Sequence, residues 1–299
     1  MRVFVTGASG FTGQAVVKEL LENGHHVLGL ARSDSSAKII NDLGAEVHHG
    51  SLEDLDSLRR GAAASDGVIH LAFIHDFSDY IGNCKKDQEA IAAIGEVLEG
   101  SNHPFIVTSG TFMVTHGRTG TENDAADETQ PFSGARAASE GVLLSFASKG
   151  VRASIIRISS TNHGEGDHGF IARLCAIAQD KGESSYVDDG LNRWPAVHRF
   201  DTARIFRLAL EKGKAGSIYH AVAEEGITIK DIASAIGKCL GVAVNSKTSA
   251  EAQAHFGFMA TPLGIDNPMS NAITREQLGW TPEHPGLITD IESGLYFRR

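Results

Sequence analysis

Short apolar runs and stretches of helical spacing take turns along the first half of the chain. The runs Arg2 to Thr6, His26 to Ala31, Ala45 to His49, Val68 to Ala72, Phe105 to Ser109 and Arg152 to Ile158 read as strands. Between the first two, Phe11, Ala15, Val16 and Leu20 recur at helical spacing. They predict a helix over Phe11 to Glu22, with Gly24 in the C-terminal capping position. Further helices are expected near Ser35 to Leu43, Leu52 to Arg60, Cys84 to Leu98 and Ala135 to Lys149. Strand and helix in alternation is the pattern of an α/β protein with a doubly wound parallel sheet.

The alternation loosens beyond residue 160. A Gly- and His-rich turn, Asn162-His163-Gly164-Glu165-Gly166-Asp167-His168-Gly169, precedes an expected helix from Phe170 to Gln179, and an irregular stretch runs on to Trp194-Pro195. Loops of that kind at strand ends are where binding residues collect. A helix over Thr202 to Glu211 and a strand over Ser217 to Ala221 are expected to return to the sheet before a C-terminal lobe of helices and loops. Nothing resembling a linker or repeat interrupts the chain. The expected division is therefore interleaved: residues 1–160 with 196–222 form the sheet domain, and 161–195 with 223–299 form a smaller lobe.

Composition narrows what such a fold would bind. With 299 residues, 41% of them hydrophobic, the chain can bury a large core. A formal net charge of −10 argues against nucleic acid as a partner, because phosphate binding needs clustered Lys and Arg. A small molecule fits better. Cys84, Cys175 and Cys239 are too far apart for paired metal ligands and read as reduced, buried thiols. Met1 leads straight into an apolar strand, and no later apolar run has membrane length, so the expectation is a cytoplasmic protein with no membrane partner.

The strongest chemical signal is Gly7-Ala8-Ser9-Gly10-Phe11-Thr12-Gly13, placed after the first strand and opening the first helix. Gly7 suits a tight turn, Gly10 lets the backbone approach a pyrophosphate, Gly13 lets the helix pack on the strand, and the helix N-terminus attracts phosphate. Gly7, Ser9, Gly10, Phe11, Thr12 and Gly13 are therefore expected to bind a dinucleotide on a Rossmann sheet. A carboxylate at the end of the second strand would hold a ribose 2′-hydroxyl, but Ala31 stands there, followed by Arg32 and Ser33, which suit a 2′-phosphate. NADPH is accordingly expected over NADH. Asp34 weakens the inference, and a merely solvated Arg32 is the competing reading. Ser51, Leu52, Leu71, Ala72, Phe73 and Thr108, at or near strand ends, complete the expected cofactor contacts.

Thr6 to Gly13, Val68-Ile69-His70-Leu71-Ala72, Val107-Thr108-Ser109-Gly110-Thr111, Arg157 to Asp167, Trp194 to His198 and Leu278-Gly279-Trp280-Thr281-Pro282 carry a resemblance. The chain is similar to the extended and atypical short-chain dehydrogenase/reductases, which include nucleotide-sugar epimerases and dehydratases and 3β-hydroxysteroid dehydrogenase-like proteins. The likeness covers nearly the whole sequence. It implies a Rossmann domain with a substrate-binding lobe, and a dimer as one common assembly. It also implies a Tyr-x-x-x-Lys pair, with the Tyr as acid/base and the Lys lowering its pKa and holding the nicotinamide ribose, preceded by a Ser or Thr after the fifth strand.

Here the chain departs from the pattern. Setting Ala137 to Glu140 against the family's small-small-small-Glu run puts Phe132 at the Tyr position and Arg136 at the Lys position. The four tyrosines are Tyr80, Tyr186, Tyr219 and Tyr296, and none has a lysine four residues on. Arg136 can hold ribose hydroxyls or a carbonyl oxygen but cannot transfer a proton near neutrality. Thr111, favoured over Ser109, is the hydroxyl expected at the substrate oxygen. His75, His163 and His168 are further proton-donor candidates. Phe112, Phe132, Tyr186 and Trp194 join the three histidines as the expected substrate contacts, with Asn192, Arg193 and His198 nearby in sequence. No metal is expected, since His163, Asp167 and His168 lack a second ligand group.

Three functions compete. An NADPH-dependent reductase acting on a carbonyl or other polarised double bond of a small organic molecule leads, because hydride transfer survives without the tyrosine. A non-catalytic dinucleotide sensor comes second, favoured by loss of the Tyr and Lys together. A sugar-nucleotide epimerase or dehydratase comes third, since that chemistry relies on the missing tyrosine.

Overall fold

Successive residues of β1 (Arg2–Thr6) bury into different layers. Val3 and Val5 pack into one hydrophobic layer and Phe4 into another, as the two-residue period of a strand requires. The computed structural model describes residues 1–114, 116–129 and 133–297. After β1 the strands are β2 (His26–Ala31), β3 (Glu46–His49), β4 (Gly67–His70), β5 (Pro104–Gly110), β6 (Arg152–Ile158), β7 (Thr161–His163), β8 (Glu183–Val187), β9 (Arg193–His198), β10 (Ser217–Ala221), β11 (Glu224–Thr228) and β12 (Ala243–Lys247). The helices are α1 (Phe11–Glu22), α2 (Asp34–Asp42), α3 (Leu55–Ala63), α4 (Tyr80–Leu98), α5 (Gly134–Ser145), α6 (Phe170–Lys181), α7 (Arg199–Lys212), α8 (Ile229–Leu240), α9 (Ser249–Phe256), α10 (Ala260–Leu263), α11 (Ala272–Leu278) and α12 (Leu287–Glu292).

Seven strands form one sheet in the order β10-β6-β5-β4-β1-β2-β3, all neighbours parallel. This is a doubly wound Rossmann sheet. Strand order reverses between β1 and β4, which opens a crevice at their carboxyl ends, where ligands bind in such sheets. Helices α1 and α7 pack together, and their Val16, Leu20, Ile205 and Phe206 share a core layer with Val3 and Val5. Leu58 of α3, Ile91 and Ile94 of α4 and Leu143 of α5 share the other layer with Phe4 and Phe105. Alternate strand residues thus hold two helix layers apart while leaving the strand ends open.

A smaller three-stranded sheet, β11-β9-β7, and the parallel pair β12-β8 lie outside the main sheet. Their core gathers Leu174 of α6, Trp194 of β9, Ile232 and Ile236 of α8 and Ile291 of α12. The irregular stretch expected before Trp194 contains β8, and the lobe expected to hold only helices and loops contains β11 and β12. Strand β12 is mostly exposed and joins β8 through backbone pairing, so it shows no apolar alternation that would mark it as a strand. Element ends also move by a few residues. Ser33 and Asp54 accept from backbone N–H groups three residues on and fix the starts of α2 and α3, and α4 begins at Tyr80 rather than Cys84.

Candidate active site

The glycine turn lies at the crevice. Gly7 has φ +70°, and a Cβ there would stand 2.8 Å from the Ala72 nitrogen; one on Gly13 would stand 1.9 Å from the Gly7 carbonyl oxygen. Only glycine fits either position. The first turn of α1 has no side-chain cap and no acidic residue, so its backbone N–H groups and the helix dipole face an anion without competition. These features fit a pyrophosphate. The site also has a fixed outer wall. Asn162 donates from Nδ2 to Thr12 Oγ1 at 2.9 Å while its Oδ1 accepts from Thr202 Oγ1 at 3.0 Å. The Arg199 guanidinium stands over the Phe11 ring at 4.4 Å, and the exposed His168 meets that ring edge-on at 5.9 Å. Ser9 is half-buried, and its carbonyl accepts from Gln14.

At the end of β2, Arg32 is exposed and makes no ion pair or hydrogen bond among the described residues. Ser33 is not similarly free: its hydroxyl accepts from the Ser36 N–H and bonds the Ser35 and Ser36 hydroxyls. Its first role is to cap α2, leaving Arg32 as the open cation. Ser51 likewise accepts from the N–H groups of Glu53 and Asp54, and Leu52 is buried beside it. Leu71, Ala72 and Phe73 are half-buried at the end of β4, with the Leu71 and Ala72 N–H groups donating to the Thr6 carbonyl and hydroxyl.

Arg136 is held from three sides. One guanidinium nitrogen donates to buried Asp87 of α4, another donates to the Thr108 carbonyl at 2.8 Å, and its plane stands over Phe73 at 4.6 Å. Asp87 also accepts from Ser139 Oγ at 2.7 Å and bonds His70 Nε2 at 3.2 Å, and His70 Nδ1 lies 2.9 Å from Thr6 Oγ1. A carboxylate only accepts, so His70 Nε2 donates to Asp87. Burial alone would raise the pKa of Asp87, but Arg136, His70 and Ser139 outweigh it and hold the pKa below the ordinary carboxylate value. Arg136 is thus a fixed charge bridging α5 to α4 and β5, not a freely reaching side chain. No local sequence pattern marks Asp87 or His70 as its partners.

Three hydroxyls at the carboxyl end of β5, those of Thr108, Ser109 and Thr111, have no hydrogen-bond partner among the described residues despite being buried. Such groups are costly unless something satisfies them. Next to Thr111, the Phe112 ring meets Trp194 at 6.0 Å and Phe170 at 6.1 Å, and Phe170 meets Trp194 at 5.5 Å. Trp194 Nε1 is also without a partner. Asn267, which the sequence pattern does not single out, donates from Nδ2 to the Thr111 carbonyl at 3.1 Å, and its Oδ1 is unpartnered too. Arg193 bonds Asp266, and Asn192 donates to the Leu263 and Ile265 carbonyls, so both anchor the segment carrying Asn267. An apolar aromatic wall with a few unpartnered, buried polar atoms has the composition of a small-molecule site.

The remaining candidates divide. His75 lies edge-on to Phe73 at 5.1 Å and is exposed. His163 is fully buried, with Nδ1 2.6 Å from Asp290 Oδ2 and its ring against His198, so it joins β7 to α12. Tyr186 sits on β8 under Lys230, on a different sheet from Trp194. Phe132 lies outside the described residues. No group of three or more His, Cys, Asp or Glu side chains suited to a metal occurs among the described residues.

Comparison with known proteins agrees with this architecture. The chain is 52% identical to an uncharacterized protein of Schizosaccharomyces pombe, with 99% of this chain and 100% of the relative covered. It is 27% identical to the decarboxylating sterol-4-alpha-carboxylate 3-dehydrogenase of Dictyostelium discoideum, over 81% of this chain and 77% of that one. A solved dTDP-glucose 4,6-dehydratase from Streptomyces venezuelae, with NAD and DAU bound, shares the fold at a TM-score of 0.79 and 20% identity, covering 100% of this chain and 97% of that one. The model of the NAD dependent epimerase/dehydratase family matches residues 3–222, which span the main sheet from β1 to β10. The chain therefore belongs to the NAD-dependent epimerase/dehydratase family, within the extended short-chain dehydrogenase/reductases.

Proposed function

We propose that this protein is an NADPH-dependent oxidoreductase of the cytoplasm that reduces a carbonyl, or another polarised double bond, on a small organic molecule. The observation that carries the reading is the buried Thr111 hydroxyl, without a partner among the described residues, one position before Phe112, whose ring meets Phe170 and Trp194. A substrate oxygen would satisfy that hydroxyl, and the rings would exclude water from it. The glycine turn and the first N–H groups of α1 would hold the pyrophosphate, and Arg32 would pair with a 2′-phosphate. When bound, the dinucleotide supplies a hydride. Arg136, fixed by Asp87, keeps a positive charge near the developing oxyanion or the ribose hydroxyls. The Dictyostelium relative, named as a 3-dehydrogenase, supports redox chemistry on a small organic molecule.

The sensor reading keeps one specific observation in its favour: the residue at the Lys position is an arginine already engaged with Asp87. Oxidation of NADPH followed by nicotinamide absorbance across aldehydes, ketones, quinones and activated alkenes decides between them, run beside calorimetric titrations with NADPH and NADH. Turnover supports the reductase. Tight binding without turnover favours the sensor, and turnover of sugar nucleotides alone would return the chain to the epimerases and dehydratases.

A further inference from the structure

The Gly-rich turn between β7 and α6 has no part in the chemistry above, yet it is built around a cation. Arg199, the first residue of α7, donates from Nη1 to the Glu165 carbonyl at 2.7 Å. A Cβ on Gly164 would stand 3.1 Å from Arg199 Cγ and 2.9 Å from His198 Nε2, so the turn passes too close for a side chain there. We propose that Arg199 is the cation that pairs with the pyrophosphate of the bound dinucleotide. The proposal rests on the dinucleotide binding in the reading above.

The guanidinium is fixed at the glycine turn itself. Its carbon stands 4.4 Å from the ring centre of Phe11, which opens α1 within that turn, and 5.3 Å from the ring centre of Phe200. Helices α1 and α7 run side by side in the same direction: Phe11 meets Arg199, Glu19 meets Arg207 at 2.6 Å, and His25, just past α1, meets Glu211 at 3.1 Å. Their N-terminal ends therefore lie together, and their partial positive charges add to that of the guanidinium. The acid in the first turn of α7, Asp201, is already taken up by the Glu283 and His284 N–H groups. Between the two helices, Thr202 donates to Asn162, and Asn162 donates to Thr12 Oγ1 at 2.9 Å. The Thr12 oxygen thus accepts, which leaves its own proton to be donated to an anion.

Arg199 has no counter-ion. Among the described residues no carboxylate lies within ion-pair reach of it, and its Nε is buried without a hydrogen-bond partner. Burial pushes its pKa down and the exposed Glu165 carboxylate pulls it back from a distance, but a guanidinium stays charged near neutrality. In a chain of net charge −10, a half-buried cation left unpaired beside the glycine turn is a standing cost that a pyrophosphate would remove.

Calorimetric titration tests this without a substrate. Arg199→Met keeps an apolar contact with Phe11 and removes the charge. It should weaken NADPH, NADH and ADP-ribose alike, by about tenfold or more, as the loss of a charge-assisted bond does. Binding of 2′-AMP, which has no pyrophosphate, should match that of the parent protein. Arg199→Lys returns the charge and should recover part of the loss, which a purely structural role would not produce. Arg199→Gln repeats the test should Arg199→Met fail to fold. Unchanged affinity for the three pyrophosphate ligands would overturn the assignment and leave Arg199 to an anionic substrate, with dinucleotide binding intact. An equal loss for 2′-AMP, or no recovery with lysine, would overturn it as well, by showing a distorted pocket rather than a lost ion pair. If neither NADPH nor NADH binds the parent protein, the dinucleotide reading falls and the assignment falls with it.

Discussion

Arg136 and Asp87, on neighbouring helices α5 and α4, form a buried ion pair at the centre of the site, completed by His70 and Ser139 on the carboxylate. Removing one partner of such a pair leaves the other charge stranded, which costs far more than replacing both by apolar groups. Asp87→Ala should therefore destabilise the fold by about 3–5 kcal/mol, while Asp87→Leu combined with Arg136→Met should cost much less. Urea unfolding of the three proteins checks this. Equal losses for the single and double variants would show that the pair's stability comes from packing rather than charge compensation.

Arg32 is the one cation at the end of β2 with an open guanidinium, since Ser33 is engaged in capping α2. A guanidinium on a 2′-phosphate makes charge-assisted bonds that NADH cannot offer. Arg32→Glu is expected to weaken NADPH binding roughly 10- to 100-fold, the equivalent of a bond to a charged group, and NADH binding far less. Calorimetric titration of both cofactors decides it. Parallel losses for the two would remove Arg32 from the 2′-phosphate site.

These two residues show why the sequence is legible in some places and not in others. The glycine turn can be read because its constraint is local: Gly7, Gly10 and Gly13 answer to backbone geometry within one turn. Most strands of the main sheet can be read because they are buried and apolar; β3, Glu46–His49, is neither and is read from its place in the alternation. Asp87 cannot, because its meaning depends on Arg136, 49 positions away, and nothing in an α-helix marks one acid among several. Asn267 is hidden for the same reason, meeting Thr111 across 156 positions. Strands β11 and β12 escape notice because backbone pairing, not apolar burial, defines them.

Thr111 offers a prediction that separates function from structure. Its buried hydroxyl has no partner among the described residues, which costs free energy unless another group satisfies it. Thr111→Val keeps the shape and removes that cost, so stability should hold or rise by up to ~1 kcal/mol. Turnover of any substrate found should fall about a hundred- to a thousandfold, the usual effect of losing one donor to a developing oxyanion. Thermal unfolding and kcat, measured on the same preparation, test both halves. A variant that loses stability and keeps turnover would make Thr111 a structural residue.

His198, the N-cap of α7, is a buried imidazole whose surroundings oppose its protonation. Its ring packs against His163, stacks on His284 at 4.8 Å, and lies near Asp290 and Asp201. Burial first, and then the neighbouring His163, push its pKa from the ordinary 6.5 down to about 4, partly offset by Asp290. Between those two values the unfolded chain binds a proton that the folded chain refuses. The contribution of His198 is therefore fully present above about pH 6.5 and is lost as the pH falls through about 4. The whole window is worth up to roughly 3 kcal/mol. His198→Asn retains a side-chain oxygen able to cap the Phe200 N–H and removes the titration. Its stability, measured by urea unfolding across that range, should fall less steeply with acid than that of the parent protein. An unchanged slope would move the acid sensitivity to another buried group, of which His220, also held below its ordinary pKa by burial, is the next to replace.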